Sequence, residues 1–279
     1  MKAARECYPC LQRLIYQAAQ LATEDQKIRA QAVEAGLKVL QESFSGQVVT
    51  IVIAAELHRV IREITQNQDP YREMKEKEII VARELCHKID TESYKDFIDC
   101  LKLAAKANAI DFFRPLKAVR LDLKRALEFT VDDSSSFQAK LKKADRVLYL
   151  ADNAGEALLD LPLIRLIEQS AEVTYVVKAG PVQNDITLED LIRSGIEDQF
   201  SRVITTGTAT PGIDLAIASA QFKHEFHSAD LILAKGMGYY ESLSELPAQG
   251  RVFHCLMAKC KPVATSLGVP LNSHVALLR

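Results

Sequence analysis

The chain has 279 residues, 48% hydrophobic and 26% charged, which is enough to bury a substantial core and too apolar for a mainly disordered protein. Its 35 basic and 37 acidic residues leave a formal net charge of −2, so electrostatics gives no reason to expect nucleic acid as a partner. No apolar run reaches the roughly 18–20 residues needed to cross a bilayer, and the amino-terminal stretch lacks the apolar core of a signal peptide; a cytoplasmic protein with no membrane partner is expected.

Apolar residues in the first half recur at spacings of three and four, the period of an amphipathic helix. Leu11, Leu14, Ile15, Ala18 and Leu21 form one stripe, and Ile53, Leu57, Val60, Ile61 and Ile64 another. Phe97, Leu101 and Ala104, with Leu103 and Ala107, mark a further broad-faced helix. Punctuation lies between them at Ser43-Phe44-Ser45-Gly46, Gln66 to Pro70 and Arg114-Pro115. No strand is evident before about residue 145, so residues 1–143 read as a helical part. Cys7 and Cys10 have the spacing of half a metal or redox site, and read equally as structural thiols at a helix start. The six cysteines of the chain are too sparse for a disulfide scaffold.

After the polar seam Asp132-Asp133-Ser134-Ser135-Ser136 the period changes. Val147–Ala151, Val173–Val177, Val203–Thr205 and Leu231–Ala234 are short runs rich in β-branched residues, and Val252–Leu256 is a fifth. Such runs suit strands buried on both faces of a parallel sheet. Helical stretches at Ala157–Gln169 and Leu188–Ser194 alternate with them, which predicts an α/β part over residues 144–279.

Ligands of an open parallel sheet gather beyond the carboxyl ends of its strands. Asp152 and Asn153 follow the first run, Lys178 to Asp185 the second, and Lys235 the fourth. The oxygen donors of Asp152, Asn153 and Asp185 suit a hard divalent ion, Mg²⁺ or Mn²⁺, with Co²⁺ or Ni²⁺ as further candidates. Lys235 and its neighbouring glycine N–H groups suit an anion. Each signal has a plain alternative. Asp-Asn after a strand also makes a turn, Thr187 with Asp190 is a helix-capping pattern, Lys178 and Lys235 are equally readable as solvated surface groups, and Asp160 reads as a supporting or solvent-facing carboxylate. No Ser–His–Asp pattern surrounds the histidines.

Taken together, Asp-Asn-Ala-Gly-Glu at 152–156, Asn-Asp-Ile-Thr at 184–187 and Lys-Gly-Met-Gly-Tyr-Tyr-Glu-Ser-Leu at 235–243 resemble the damage-control phosphatase family. In the first half, Cys7-Tyr8-Pro9-Cys10, Asp69-Pro70-Tyr71 and Ala107-Asn108-Ala109-Ile110-Asp111-Phe112 extend the resemblance towards its CxxC-bearing branch. Ala107 stands where the family usually has Gly, and Met237-Gly238-Tyr239-Tyr240 where it usually has an amide and an aromatic residue. The resemblance implies a helical part plus a Rossmann-like, mainly parallel sheet, and a metal-dependent phosphatase for small phosphometabolites such as sugar phosphates. Asp152, Asn153 and Asp185 would hold the metal. Asn108, Asp111, Glu156 and Lys235 would face the substrate, with Asp152 and Lys235 in catalytic roles and metal-activated water favoured over Asp152 as the attacking group. The alternatives are an S-adenosylmethionine-dependent carboxyl methyltransferase and a non-catalytic metal-binding protein. No oligomeric state is specified.

Overall fold

The structure is a computed structural model that describes residues 1–88, 94–110 and 116–279. Its first part is helical: α1 (Cys7–Ala22), α2 (Gln26–Ser43), α3 (Thr50–Thr65), α4 (Arg72–Lys88), α5 (Phe97–Ala107) and α6 (Leu116–Lys124). The stripes at spacings of three and four become buried faces. Leu11, Ile15 and Ala18 of α1 meet Leu40 of α2 and Ile53, Leu57 and Ile61 of α3 in one apolar cluster. Asp25 starts α2 by accepting the N–H groups of Lys27 and Ile28 at 2.8 and 3.0 Å, which satisfies donors that the first turn leaves open.

The remaining elements are β1 (Phe129–Asp132), α7 (Ser134–Leu141), β2 (Arg146–Leu150), α8 (Ala157–Ile167), β3 (Glu172–Val177), α9 (Leu188–Arg193), β4 (Val203–Thr205), α10 (Ala220–Ser228), β5 (Leu231–Lys235), α11 (Gly236–Leu243), β6 (Val252–Met257), α12 (Lys261–Leu267) and β7 (His274–Leu278). The strands form one sheet in the order β1-β7-β6-β5-β2-β3-β4. Pairing is parallel except between β6 and β7. All five runs expected to be strands are strands. Two more, β1 and β7, were not expected, and β1 lies ahead of residue 145. Phe129-Thr130-Val131-Asp132 alternates half-buried and exposed residues and owes its place to pairing with β7.

Successive residues of a strand face opposite ways, and both faces here are covered. Val147 and Tyr149 of β2 pack with Phe97, Phe137 and Ile164 on one side. Leu148 and Leu150 pack with Phe222, Phe226 and Tyr239 on the other. The first of these clusters also contains Ile79, Leu101 and Ala104 of α4 and α5, so the helical part and the sheet share a core. Each large apolar side chain buried in this way contributes roughly 1.5–3 kcal/mol. Pro162 inside α8 leaves the carbonyl of Leu158 without its usual N–H partner. The Cys86 thiol of α4 faces that carbonyl at 3.7 Å. Among the described residues no helix is long and apolar enough to cross a membrane.

Candidate active site at the carboxyl edge of the sheet

β2 and β3 are neighbours in exact register over five pairs, and the loops leaving them are stitched together beyond the sheet. Ile186 N–H donates to the Asp152 carbonyl at 2.9 Å and Ala154 N–H to the Asn184 carbonyl at 2.8 Å. Asn153 and Asp185 face one another in an isolated antiparallel bridge. Main-chain bonding thus brings Asp152, Asn153 and Asp185 together. The exit of the second loop is fixed by a capping box, in which Thr187 Oγ1 accepts the Asp190 N–H and Asp190 accepts the Thr187 N–H. The structural reading of Thr187 and Asp190 therefore holds.

Asn108, at the end of α5, reaches into this edge from the helical part. Its Nδ2 donates to Asp152 Oδ2 at 2.8 Å and to Glu156 Oε1 at 2.9 Å, while its Oδ1 accepts the Met257 N–H at 3.3 Å. Asn153 Nδ2 touches the same two carboxylates at 3.1 and 2.6 Å, leaving its own oxygen free of that task. Behind them, Lys235 Nζ lies 2.8 Å from Glu156 Oε2 and 2.6 Å from Asp160 Oδ1. Lys178 Nζ lies 3.5 Å from Asp185 Oδ2 and donates to Tyr239 Oη at 3.1 Å and to the Gly212 carbonyl.

These groups are close together, with Glu156, Asp160, Asp185, Lys178 and Lys235 buried and Asp152 half-buried. Burial, together with the negative charges of Glu156 and Asp185, pushes the Asp152 carboxyl well above the usual carboxylate range. Burial pushes Asp185 up to about 6 against the pull of Lys178, and Asp160 up to about 7 against that of Lys235. Burial would raise Glu156 too, but Lys235 and Asn108 hold it below its ordinary value. Four carboxylates (Asp152, Glu156, Asp160 and Asp185) thus surround two buried ammonium groups, Lys178 and Lys235. Among the described residues no three His, Cys, Asp or Glu side chains are arranged to hold a metal; the donor set gathered here is two carboxylates and an amide.

Comparison with known proteins identifies the family. Residues 3–275 match the model of the damage-control phosphatase ARMT1-like domain. The chain belongs to that family. It is similar to the damage-control phosphatase PH1575 of Pyrococcus horikoshii, at 34% identity over 99% of this chain and 98% of the relative. A damage-control phosphatase of Archaeoglobus fulgidus is 32% identical over 99% of both chains. The crystal structure of PH1575, a DUF89 family protein, superposes with a TM-score of 0.92 and covers 100% of this chain and 99% of the other.

For this member of the damage-control phosphatase family, the structure corrects several side-chain expectations. Lys178 and Lys235 are not solvated surface groups; both are fully buried and held by carboxylates. Asp160 is equally buried and pairs with Lys235. Lys235 therefore faces Glu156 and Asp160, with its charge already engaged. Asp111 lies outside the described residues. Cys7 is buried at the start of α1 and Cys10 exposed, both as free thiols.

Two residues of the site were missed, Lys259 and Glu78, and the glycine next to Lys235, expected to offer its N–H to an anion, has a steric role. Lys259, just past β6, is exposed yet donates through Nζ to the Asn108 carbonyl, and its charge is felt by Asp152 and Glu156. Its signal is its place: it follows the fifth apolar run as Lys235 follows the fourth. Glu78 of α4 is buried and accepts the Gly155 N–H at 3.3 Å and the Asn184 amide at 3.0 Å, clamping both loops. Gly236 has φ +79°, and a Cβ there would stand 2.0 Å from Asp152 Oδ2. Only a residue without a side chain lets the start of α11 pass so close to that carboxylate.

Proposed function

We propose that this protein is a metal-dependent phosphatase acting on small phosphorylated metabolites, with sugar phosphates as the leading class. One observation carries the proposal: a surplus of buried negative charge at the tips of β2 and β3, beside oxygen donors contributed by two stitched loops. A buried carboxylate without a counter-charge is costly. A divalent cation on Asp152, Asn153 and Asp185 would relieve that cost, and the all-oxygen donor set suits Mg²⁺ or Mn²⁺. Once bound, such an ion supplies charge neutralisation and polarisation at a phosphoryl oxygen.

The chain's own residues prepare the site around it. Asn108 and Asn153 aim their amide N–H groups at Asp152 and Glu156, which fixes both carboxylates and leaves the Asn153 oxygen for a ligand. Lys235 works from behind, gripping Glu156 and Asp160 and keeping Glu156 ionised. Lys259 is the cation that solvent reaches, and we assign it to the phosphate oxygens of the substrate. Lys178 holds Asp185 and ties it to the loop after β4. Asp111 is proposed to face the substrate on the strength of the family motif.

The test is phosphate release from p-nitrophenyl phosphate with Mn²⁺ or Mg²⁺, run beside calorimetric titration of the metal. Turnover should require the metal. Asp152→Ala and Asp185→Ala should lose both metal binding and turnover, Asn153→Ala should weaken metal binding less, and Lys259→Ala should impair turnover while metal still binds. Undiminished metal affinity in Asp152→Ala and Asp185→Ala would place the site elsewhere. Adenosylmethionine binding without any phosphate release would replace the phosphatase reading with methyl transfer.

A further inference from the structure

A cavity of about 430 Å³, lined in part by Ala109 and Ile110, which follow Asn108, opens at the same edge of the sheet. Its lining includes Lys106, Ile110, Leu123, Met257 and His274, with the exposed Glu128 among the outer residues. His274 begins β7 opposite Met257 at the end of β6, so the cavity belongs to the rim that carries the candidate site. Lys106 Nζ donates to the Leu123 carbonyl at 2.8 Å and Lys259 Nζ to the Asn108 carbonyl. Neither ammonium has a carboxylate partner among the described residues. The His274 ring feels both lysines, and its Nδ1 is buried without a hydrogen-bond partner. One lysine of the wall without a carboxylate partner, Lys106, and one unused imidazole nitrogen, that of His274, bordering a partly apolar space are equipment for an anion.

We infer that this cavity binds a second anionic group, a carboxylate or a further phosphate, at the far end of the substrate's carbon chain. The inference rests on the phosphatase reading, which places the scissile phosphate at Asp152 and Asp185. Three strand spacings separate β2 from β7, a distance of about 14 Å. Side chains reaching inward from both ends shorten that span to one bridged by a chain of five or six carbons. A short phosphomonoester reaches only the first site. A longer one with an acid terminus reaches both.

6-Phosphogluconate and sorbitol 6-phosphate form a matched pair, differing in whether the chain ends in a carboxylate or an alcohol. The parent protein, loaded with Mn²⁺, should turn over the carboxylate compound with kcat/KM roughly tenfold higher, the worth of one charge-assisted hydrogen bond. Lys106→Met should remove that preference, Lys106→Arg should keep it, and p-nitrophenyl phosphate turnover should be unchanged in both. Equal kcat/KM for the pair in the parent overturns the subsite while leaving the phosphatase standing, and so does an equal fall with all three compounds in Lys106→Met. If nothing is hydrolysed, the phosphatase reading falls, and calorimetry with the same pair decides the subsite. Tighter binding of 6-phosphogluconate that Lys106→Met abolishes supports it, and equal binding of the two compounds overturns it.

Discussion

Lys75 and Lys235 are both fully buried, and each is gripped by two carboxylates, yet their surroundings differ. Lys75 Nζ lies 2.9 Å from Asp69 and 2.7 Å from Asp190. Asp190 is also occupied by the N–H and hydroxyl of Thr187 in the capping box, with Arg193 at 3.7 Å. On the Asp190 side that cluster is closed: the carboxylate that meets the lysine also caps a helix, and α4 is tied through it to the start of α9. Lys235 has the same grip on Glu156 and Asp160, but Glu156 continues through the amides of Asn108 and Asn153 to Asp152, which is only half-buried. The second cluster runs on to a half-exposed carboxylate at the surface. A buried ion pair alone is weak evidence of function, and the groups bonded beyond the pair tell a latch from a site.

The sharpest way to break this contrast is to remove charge from the open cluster. Asp152→Ala should lower metal-dependent turnover on the order of a thousandfold or more, while the thermal midpoint holds or rises because a repelling carboxylate is gone. A large fall in midpoint would mean that the open cluster is a latch as well. Lys75→Met makes the converse test. It strands two buried carboxylates and should cost about 3–5 kcal/mol in denaturant unfolding, with turnover per folded molecule retained; a stable variant with lost turnover would reverse the two assignments.

Gly236→Ala probes the close approach between the start of α11 and Asp152. With φ at +79° and no room for a Cβ, it should cost about 1–3 kcal/mol in backbone strain and weaken metal binding with it. Full metal affinity in this variant would show that Asp152 needs no such fixing.

A smaller effect separates the helical part from the sheet by pH. His58 of α3 and His254 of β6 are buried and pushed down to about 3 by loss of hydration. Neutral in the fold and protonated once unfolded below about pH 6.5, each contributes stability that is complete above that pH. The contribution fades as pH falls towards 3, by at most about 1.4 kcal/mol per unit. His58→Leu should flatten part of that slope in urea titrations at pH 7, 6 and 5; an unchanged slope would show that His58 titrates normally.

The central strands were legible because Val147–Ala151 and its counterparts carry β-branched runs that suit burial on both faces. β1 and β7 were not, since Phe129–Asp132 is four residues long and half exposed, and His274–Leu278 opens on a polar residue. β1 owes its strand character to β7, and β7 to β1 and β6, pairings that a linear pattern does not record. The oxygen donors were legible from their place after two strands. The burial of Lys178 and Lys235 was not, because lysine reads as a surface residue unless its carboxylate partners, distant in the chain or beyond a turn, are already known. Glu78 was hidden for the same reason, one polar residue in a helix rich in them.

Asn108 carries one more consequence. Its oxygen is committed to the main-chain N–H of Met257, so the amide cannot turn over, and its NH₂ must present itself to Asp152 and Glu156. A residue of the helical part is thus oriented by the sixth strand of the sheet in order to organise acids after the second. Neither stretch of chain can be exchanged as a cassette. A fragment carrying the sheet alone would keep every proposed metal donor and lose the hand that arranges them.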